Sequence, residues 1–414
     1  MKVIDRFKYI TVIVLAAILF PSLCTLRAHA EEELLPMAKI TITAYGKTFE
    51  YSDEIIVPSD FSVAEEIELR KINAPVEQKI EIADMYLAKG ADYKTALNVC
   101  FPRLIRVVDD VAEYVRIDPV DAKVVYGGGK FGVTREKHGR ALDENKLYAN
   151  IYCCLKFSGG GAVNATANDV APVVTASELK SNLALRGEYS TDYTTSTSAR
   201  AHNVTLALKK FDGMELRAGE ALSFNGTVGA RTEANGFKSA KIIVDGKYTD
   251  GVGGGVCQAS TALYNAALLA GLECSANAHS ICPSYCPAGL DAMISSVSDL
   301  RIVNTTEKSV FISVKAGGGM ATVKMFGAPP DYKIVPESVT LRTIKCEELE
   351  RLDSEHKYFG AEAVSGDRLL VALGKDGVIS ETYLKYYKNG KFVKRVKIRT
   401  NEYKSTPQIV AVAP

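Results

Sequence analysis

The stretch GGGVCQASTALYNAALLAG, residues 253–271, decides how this chain is read. From Cys257 onward it is the clearest helix in the sequence. Ala259, Ala262, Leu263, Ala266 and Ala270 recur at i, i+3, i+4, i+7 and i+11, which predicts a helix over 257–270 with one apolar face. Gly271 stands where a C-terminal glycine cap belongs. The three glycines at the other end put Cys257 in the first helical turn, where unpaired N–H groups and the positive end of the helix dipole favour a thiolate. Glycines there also let a substrate backbone come close and let main-chain N–H groups face a developing oxyanion. That is the electrostatic arrangement of a thiol nucleophile in acyl transfer.

A thiol nucleophile needs a base. His279 lies 22 residues past Cys257, beyond the helix and its Gly271 stop; a chain that turns back there as a strand is expected to return it to the helix start. Asp291, within Gly289-Leu290-Asp291-Ala292, is available to orient the imidazole. The spacing alone leaves two other readings open. In one, Cys257 is a packed thiol. In the other, Cys257, Cys274, His279, Cys282 and Cys286 hold a metal, although only Cys282 and Cys286 are closely spaced and Pro283 lies between them. A disulfide among Cys274, Cys282 and Cys286 is a further alternative.

Outward from this helix, the 414 residues predict two to four domains. Apolar residues make up 47% and charged residues 24%, an ordinary globular composition that argues against a mainly disordered chain. The net charge of +1 gives nothing that would draw the chain onto nucleic acid. The first thirty residues read as an export signal: Lys2, Arg6 and Lys8 precede the apolar stretch Tyr9 to Phe20, and Ala28-His29-Ala30 is a cleavage site. Retained uncleaved, the same segment is an N-terminal anchor and the only expected membrane contact. Cys153 and Cys154 sit in an apolar run and are expected as buried thiols.

Along the chain, 39–51 reads as strand, and 76–89 and 92–115 carry helical spacing broken at Pro102. Residues 121–126 and 130–134 read as strands around a Gly127-Gly128-Gly129 turn. Helices are expected at 142–157, with Asp143 in the first turn, and at 198–211. Strands are expected at 221–225 and at 241–248, the latter with a turn at Asp245-Gly246. Residues 300–304, 309–315 and 321–326 are expected as consecutive antiparallel strands. Pro329-Pro330 reads as a linker, and the strand-rich tail carries a hairpin signal at Asn389-Gly390.

Several segments together carry a family resemblance. ARAHNVTLALKKFDG (199–213), AGEALSFNGTVGART (218–232), NGFKSAKIIVDGK (235–247), the glycine–cysteine segment above, AHSICPSYCPAGLDAMI (278–294) and DLRIVNTT (299–306) resemble the VanW domain family in one continuous order. The preceding region, with PVDAKVVYGGGKFGVTREKHGRALDENKL (119–147), resembles the peptidoglycan-binding-like domain that often precedes VanW. The tail, 381–412, is similar to a divergent copy of the small glycine-named β module found after it in cell-surface proteins, with most of the glycines missing.

The resemblance implies an α+β, multidomain protein: a signal peptide at 1–30, a peptidoglycan-binding-like α+β region at 31–186, a VanW domain at 187–329 and a small β-rich module at 330–414. It implies an exported protein of the cell wall or the extracellular face of the cytoplasmic membrane, with peptidoglycan stem peptides and glycan as partners. It implies a cysteine acyltransferase, a peptidoglycan L,D-transpeptidase, with Cys257 as nucleophile, His279 as base and Asp291 as orienting acid. Gly255, Gln258, Arg231, Asn225 and Tyr285 fall in matching segments as substrate-binding candidates, Gln258 as an oxyanion donor beside main-chain N–H groups. The chemistry needs no metal or organic cofactor. Cys274, Cys282 and Cys286 depart from the family pattern. The alternative within the same resemblance is a non-catalytic peptidoglycan-binding surface protein.

Overall fold

The computed structural model describes residues 37–53, 72–244, 247–360 and 362–414. The expected export signal and the turn at Asp245-Gly246 lie outside them. The chain divides into two compact units, Met1–Val120 with Lys137–Val173, and Asp121–Glu136 with Val174–Pro414. Both mix helix and sheet, so the protein is α+β and multidomain.

In the first unit, the alternating stretch near residue 40 folds as a hairpin of β1 (Lys39–Ala44) and β2 (Lys47–Ser52). The helical region resolves into α1 (Val76–Ala88), α2 (Tyr93–Asn98) and α3 (Leu104–Val115). Asp92 caps α2, accepting from the Thr95 N–H at 2.7 Å. In α3, Leu104, Val108, Val111 and Val115 form the buried stripe. The chain then runs through the hairpin β3 (Val124–Gly127) and β4 (Lys130–Val133), which belongs to the second unit, and returns in β5 (Gly139–Leu142), α4 (Glu144–Ser158), β6 (Gly161–Asn164) and β7 (Ala167–Val170). Strand β6 lies parallel beside β1, and β5 pairs with β7. Asp143 sits one place before α4 as its cap, accepting from the Lys146 N–H at 3.1 Å. Because Leu147, Tyr148, Ile151, Tyr152 and Leu155 form the inner face of α4, Cys153 is exposed and Cys154 half-buried, not buried as their apolar neighbours suggested.

In the second unit, the hairpin β3–β4 places Phe131 5.3 Å from Phe311 and 6.0 Å from Phe326, ring centre to ring centre. Next come α5 (Ala176–Ser181), β8 (Ala184–Asp192), α6 (Ser198–Lys209), β9 (Met214–Leu216), β10 (Ala221–Ser223) and α7 (Phe224–Val228). They are followed by β11 (Ser239–Val244), β12 (Lys247–Val252), α8 (Val256–Leu269), β13 (Glu273–Ser275), β14 (Arg301–Val303), β15 (Val310–Gly317) and β16 (Met320–Gly327). An antiparallel sheet in the order β8-β16-β15-β9 backs helix α8, which also lies beside α6. The three strands expected between 300 and 326 do not form one run. Only β15 and β16 pair, while β14 joins β10 and β13. The buried Asn304 ends β14, its side-chain amide donating to Leu216 O at 2.8 Å and Lys308 O at 2.9 Å.

The tail consists of β17 (Lys333–Ile344), β18 (Glu348–Leu352), β19 (Arg368–Ala372), β20 (Gly377–Lys388), β21 (Lys391–Tyr403) and β22 (Gln408–Val412). Long strands β17-β20-β21 make one sheet and β18-β22-β19 another. Asn389 and Gly390 turn β20 into β21 with φ of 51° and 76°, as a tight two-residue hairpin loop requires.

Helix α8 is the centre of this unit. It was expected to bury one face, yet every residue from Val256 to Leu268 except Cys257 is buried. A helix enclosed on all sides has to satisfy its polar side chains internally. Those partners build the site.

Candidate active site

Gly255 caps α8 in the left-handed region, with φ of 104°. A Cβ on it would stand 2.9 Å from Arg200 Cγ and 3.1 Å from Arg200 O. One on Gly254 would stand 2.6 Å from Lys241 O. The missing side chains therefore admit α6 and β11, and the glycines seat the start of α8 against protein. Gln258 is turned away from the helix start: it is 1% exposed, and its amide donates to Thr191 Oγ1 at 2.7 Å and to Asp192 O at 2.8 Å. Both side-chain N–H bonds are thus held by β8, and Gln258 is not a free oxyanion donor.

The other buried polar residues of α8 grip the loop that carries Asp291. Ser260 Oγ donates to Ala292 O at 2.6 Å, the Ala292 N–H donates to Thr261 Oγ1 at 3.0 Å, and Asn265 donates to Leu290 O at 2.7 Å. The residues before and after Asp291 are thereby tied to the helix that bears Cys257.

Asp291 is fully buried and His279 is 6% exposed. His279 Nδ1 lies 2.6 Å from Asp291 Oδ2, and the His279 main-chain N–H donates to the same oxygen at 2.7 Å. The imidazole and the Cys257 thiol are electrostatically coupled, each shifting the ionisation of the other. With Nδ1 taken by the carboxylate, Nε2 is the ring nitrogen left for sulfur. The Cys257 thiol is half-buried and also lies 3.5 Å from Ile294 O. The structure thus joins His279 to Asp291, with the Cys257 thiol electrostatically coupled to the imidazole.

Electrostatics follows the geometry. Burial opposes ionisation of Cys257, but the neighbouring His279 imidazole, with the Arg231 guanidinium further out, outweighs it and holds the thiol below its ordinary range. Burial also opposes a charged imidazole, yet Asp291 and Cys257 raise His279 to about 9. Asp291 is buried but kept below the usual carboxylate range by its hydrogen bonds from His279 and Tyr403. The arrangement favours a thiolate–imidazolium pair.

The tail supplies contacts that sequence reasoning missed. Tyr403 Oη donates to Asp291 Oδ1 at 2.5 Å and accepts the Gly289 N–H at 2.7 Å. Arg399 donates to Gly289 O at 2.6 Å, to Asp291 O at 2.6 Å and to Asp291 Oδ1 at 3.2 Å. Thr382 donates to Gly289 O at 3.0 Å, and a Cβ on Gly289 would overlap its hydroxyl at 2.0 Å. Nothing local in β21 marks Arg399 or Tyr403, which lie more than a hundred residues from Asp291. A signal exists only in pairing the basic, tyrosine-rich tail with a buried acid elsewhere.

Around the thiol, Arg231 donates to Asn225 Oδ1 at 2.8 Å. Asn225 is itself fixed by donation to Ser295 O at 3.0 Å and Ser298 O at 2.9 Å. The Tyr285 ring meets His279 edge-on with centroids 6.4 Å apart. Cys274, Cys282 and Cys286 are free thiols, not paired in a disulfide. Burial raises all three above the ordinary thiol range, Cys274 to about 12. Among the described residues, no group of His, Cys, Asp and Glu side chains is placed to hold a metal ion, so the cysteine–histidine cluster of the sequence does not converge. No described helix is long and apolar enough to cross a membrane.

Residues 199–326 match the "VanW like protein" family model, and residues 60–156 match the "Putative peptidoglycan binding domain" model. The chain is 29% identical over 234 residues to a protein of Bacillus subtilis (strain 168) described as uncharacterized protein YoaR, covering 56% of this chain and 76% of that one. Solved structures of HP0197-G5 and of an IgA1 protease G5 domain each match 20% of the chain at 17% identity, with TM-scores of 0.13 and 0.14 and coverage of 99% and 94% of those chains. The chain thus carries a VanW-like domain at residues 199–326, preceded at 60–156 by a region that matches the peptidoglycan-binding domain model.

Proposed function

We propose that this protein is an exported, cysteine-dependent acyltransferase of peptidoglycan, an L,D-transpeptidase that cross-links stem peptides through a thioester on Cys257. The observation that supports the proposal is the buried His279–Asp291 pair, locked at 2.6 Å, beside a half-buried Cys257 thiol that the imidazole holds toward the thiolate. Of the cysteines with shifted ionisation, Cys257 alone is pushed toward the thiolate.

The Cys257 thiolate attacks the carbonyl between the third and fourth residues of a donor stem. A carbon–sulfur bond forms, and the main-chain N–H of Cys257 holds the oxyanion. The Val256 and Gln258 N–H groups are engaged with Gly253 O and Gly255 O, at 3.2 and 2.9 Å, which leaves the Cys257 N–H as the first-turn donor for that task. The amide C–N bond breaks as imidazolium His279 protonates the departing amine of the fourth residue. A side-chain amine of an acceptor stem then attacks the thioester. Its proton passes to His279, the new amide forms, and the thiolate returns. Water in place of the amine would make the same site a carboxypeptidase. Arg231, held by Asn225, is suited to bind the carboxylate of the departing residue. Tyr285 forms a wall beside the imidazole. The preceding domain would hold glycan or stem peptide.

The test is incubation of the protein with muropeptides carrying tetrapeptide stems, with products read by mass spectrometry. Cross-linked dimers or tripeptide products formed by the wild type and lost in Cys257→Ala support the proposal. Identical product patterns from the two would refute it and leave a peptidoglycan-binding surface protein.

A further inference from the structure

The acid of the site is held from the tail of the chain. Asp291 Oδ2 is occupied by His279, through the ring and through the main chain. Its other oxygen and its carbonyl are gripped only from β21 among the described residues, by Tyr403 and Arg399. The same strand fixes the backbone just before the acid. The Gly289 N–H is taken by Tyr403 and the Gly289 carbonyl by Arg399, with Thr382 of β20 on that carbonyl too. Neighbouring parts of the tail hold the rest of the loop: Ser338 Oγ donates to Ala288 O at 2.6 Å, the Lys404 N–H donates to Ser280 O at 2.8 Å, and Lys375 donates to Cys282 O. A buried carboxylate with one oxygen lacking a donor would tend to take up a proton or swing out of line with the imidazole.

We propose that the β-rich tail is an integral part of the catalytic unit, with Tyr403 and Arg399 as positioning residues that keep the Asp291 carboxylate ionised and aimed at His279. The inference rests on the acyltransferase reading for its catalytic meaning, but its physical content concerns Cys257 reactivity alone. Tyr403 acts through the acid and touches neither thiol nor substrate. Deleting its hydroxyl leaves Asp291 Oδ1 with only the long contact to Arg399 and frees the Gly289 N–H. The acid then protonates at higher pH, the imidazolium loses its counter-charge, and the thiolate is lost from the acid side.

The experiment is the rate of iodoacetamide labelling of Cys257 against pH in the full chain, for wild type, Tyr403→Phe, Arg399→Lys and Ser338→Ala, with muropeptide products measured in parallel. In Tyr403→Phe, labelling on the acid limb falls about tenfold at a given pH while the alkaline plateau is kept, the effect expected for loss of a hydrogen bond to a buried carboxylate. Arg399→Lys keeps the charge, loses the two-pronged contact and shifts the limb the same way by less. It carries the test if Tyr403→Phe does not fold. Ser338→Ala removes a tail contact to the same loop without touching the carboxylate, and its profile stays with the wild type. Tyr403→Phe and Arg399→Lys profiles that overlay the wild type overturn the proposal. So does a shift to lower pH, which would mean that Tyr403 only drains charge from a better base. If the limb shifts but no wild-type product appears, the positioning stands and the transpeptidase reading falls. If products appear and the limb does not move, the reverse holds.

Discussion

His279 Nδ1 and Asp291 Oδ2 stand 2.6 Å apart in a region from which water is almost excluded, His279 being 6% and Asp291 0% exposed. This one contact fixes which ring nitrogen is left for Cys257 and keeps a buried imidazole charged.

Replacing Asp291 with Asn removes that counter-charge and leaves the Arg399 guanidinium beside a neutral amide. The sign of the pH effect follows from the raised imidazole. Stability from a charged His279 is fully present below its unfolded value near 6.5 and is lost as pH rises through about 9. The wild type should therefore exceed Asp291→Asn by about 3 kcal/mol at neutral pH, and the gap should shrink by pH 10. Urea unfolding at the two pH values measures it, and a gap that does not change with pH would contradict the charged imidazole.

Cys257 should react with iodoacetamide at neutral pH without denaturant, whereas Cys274, Cys282 and Cys286 should need unfolding, because burial raises them and no imidazole opposes it. Peptide mapping of the labelled protein separates the sites. Acyl transfer should show a second limit that labelling lacks: it should fall as pH rises through about 9, where His279 gives up the proton needed by the leaving amine. Transfer that stays flat above pH 9 would remove His279 from the acid role.

Gly255→Ala forces a Cβ to within 2.9 Å of Arg200 and keeps φ at 104°, where a side chain is strained. The start of α8 should shift, destabilising the protein by about 2 kcal/mol and lowering the Cys257 labelling rate at neutral pH. Thermal melting with labelling checks both. An undisturbed labelling rate would mean that the thiol does not depend on how the helix is seated.

Arg231→Met should raise KM for stems ending in a free carboxylate more than it lowers kcat, by about tenfold for loss of one charge-assisted hydrogen bond. Amidating the terminal carboxylate of the substrate should remove most of the difference between wild type and variant. An equal loss on both substrates would assign Arg231 to the charge on Cys257 and not to substrate.

The parts of the fold that were legible in the sequence are those set by local chemistry. The helix over 256–269, the hairpin at Asn389-Gly390 and the capped helix after Asp143 each carry their own period or turn residues. The pairing of His279 with Asp291 was legible because both lie within one family-like stretch that also carries Cys257. What was missed depends on tertiary contact. The apolar stripe of α8 did not reveal that its polar residues are buried too, or that Gln258 faces β8. Strand β14 looked like its neighbours but pairs elsewhere, since register is chosen by partners and not by pattern. Tyr403 and Arg399 were invisible for the same reason: the tail reads as a separate β module, and only the fold lays it on Asp291.

Every step proposed for the site passes through an acylated Cys257 sulfur. Full-length protein mixed with a disaccharide-tetrapeptide and quenched in acid should gain, by intact mass, the disaccharide-tripeptide acyl group, mapped to Cys257 and released by hydroxylamine. An unchanged mass under conditions where Cys257 still takes up iodoacetamide would contradict it.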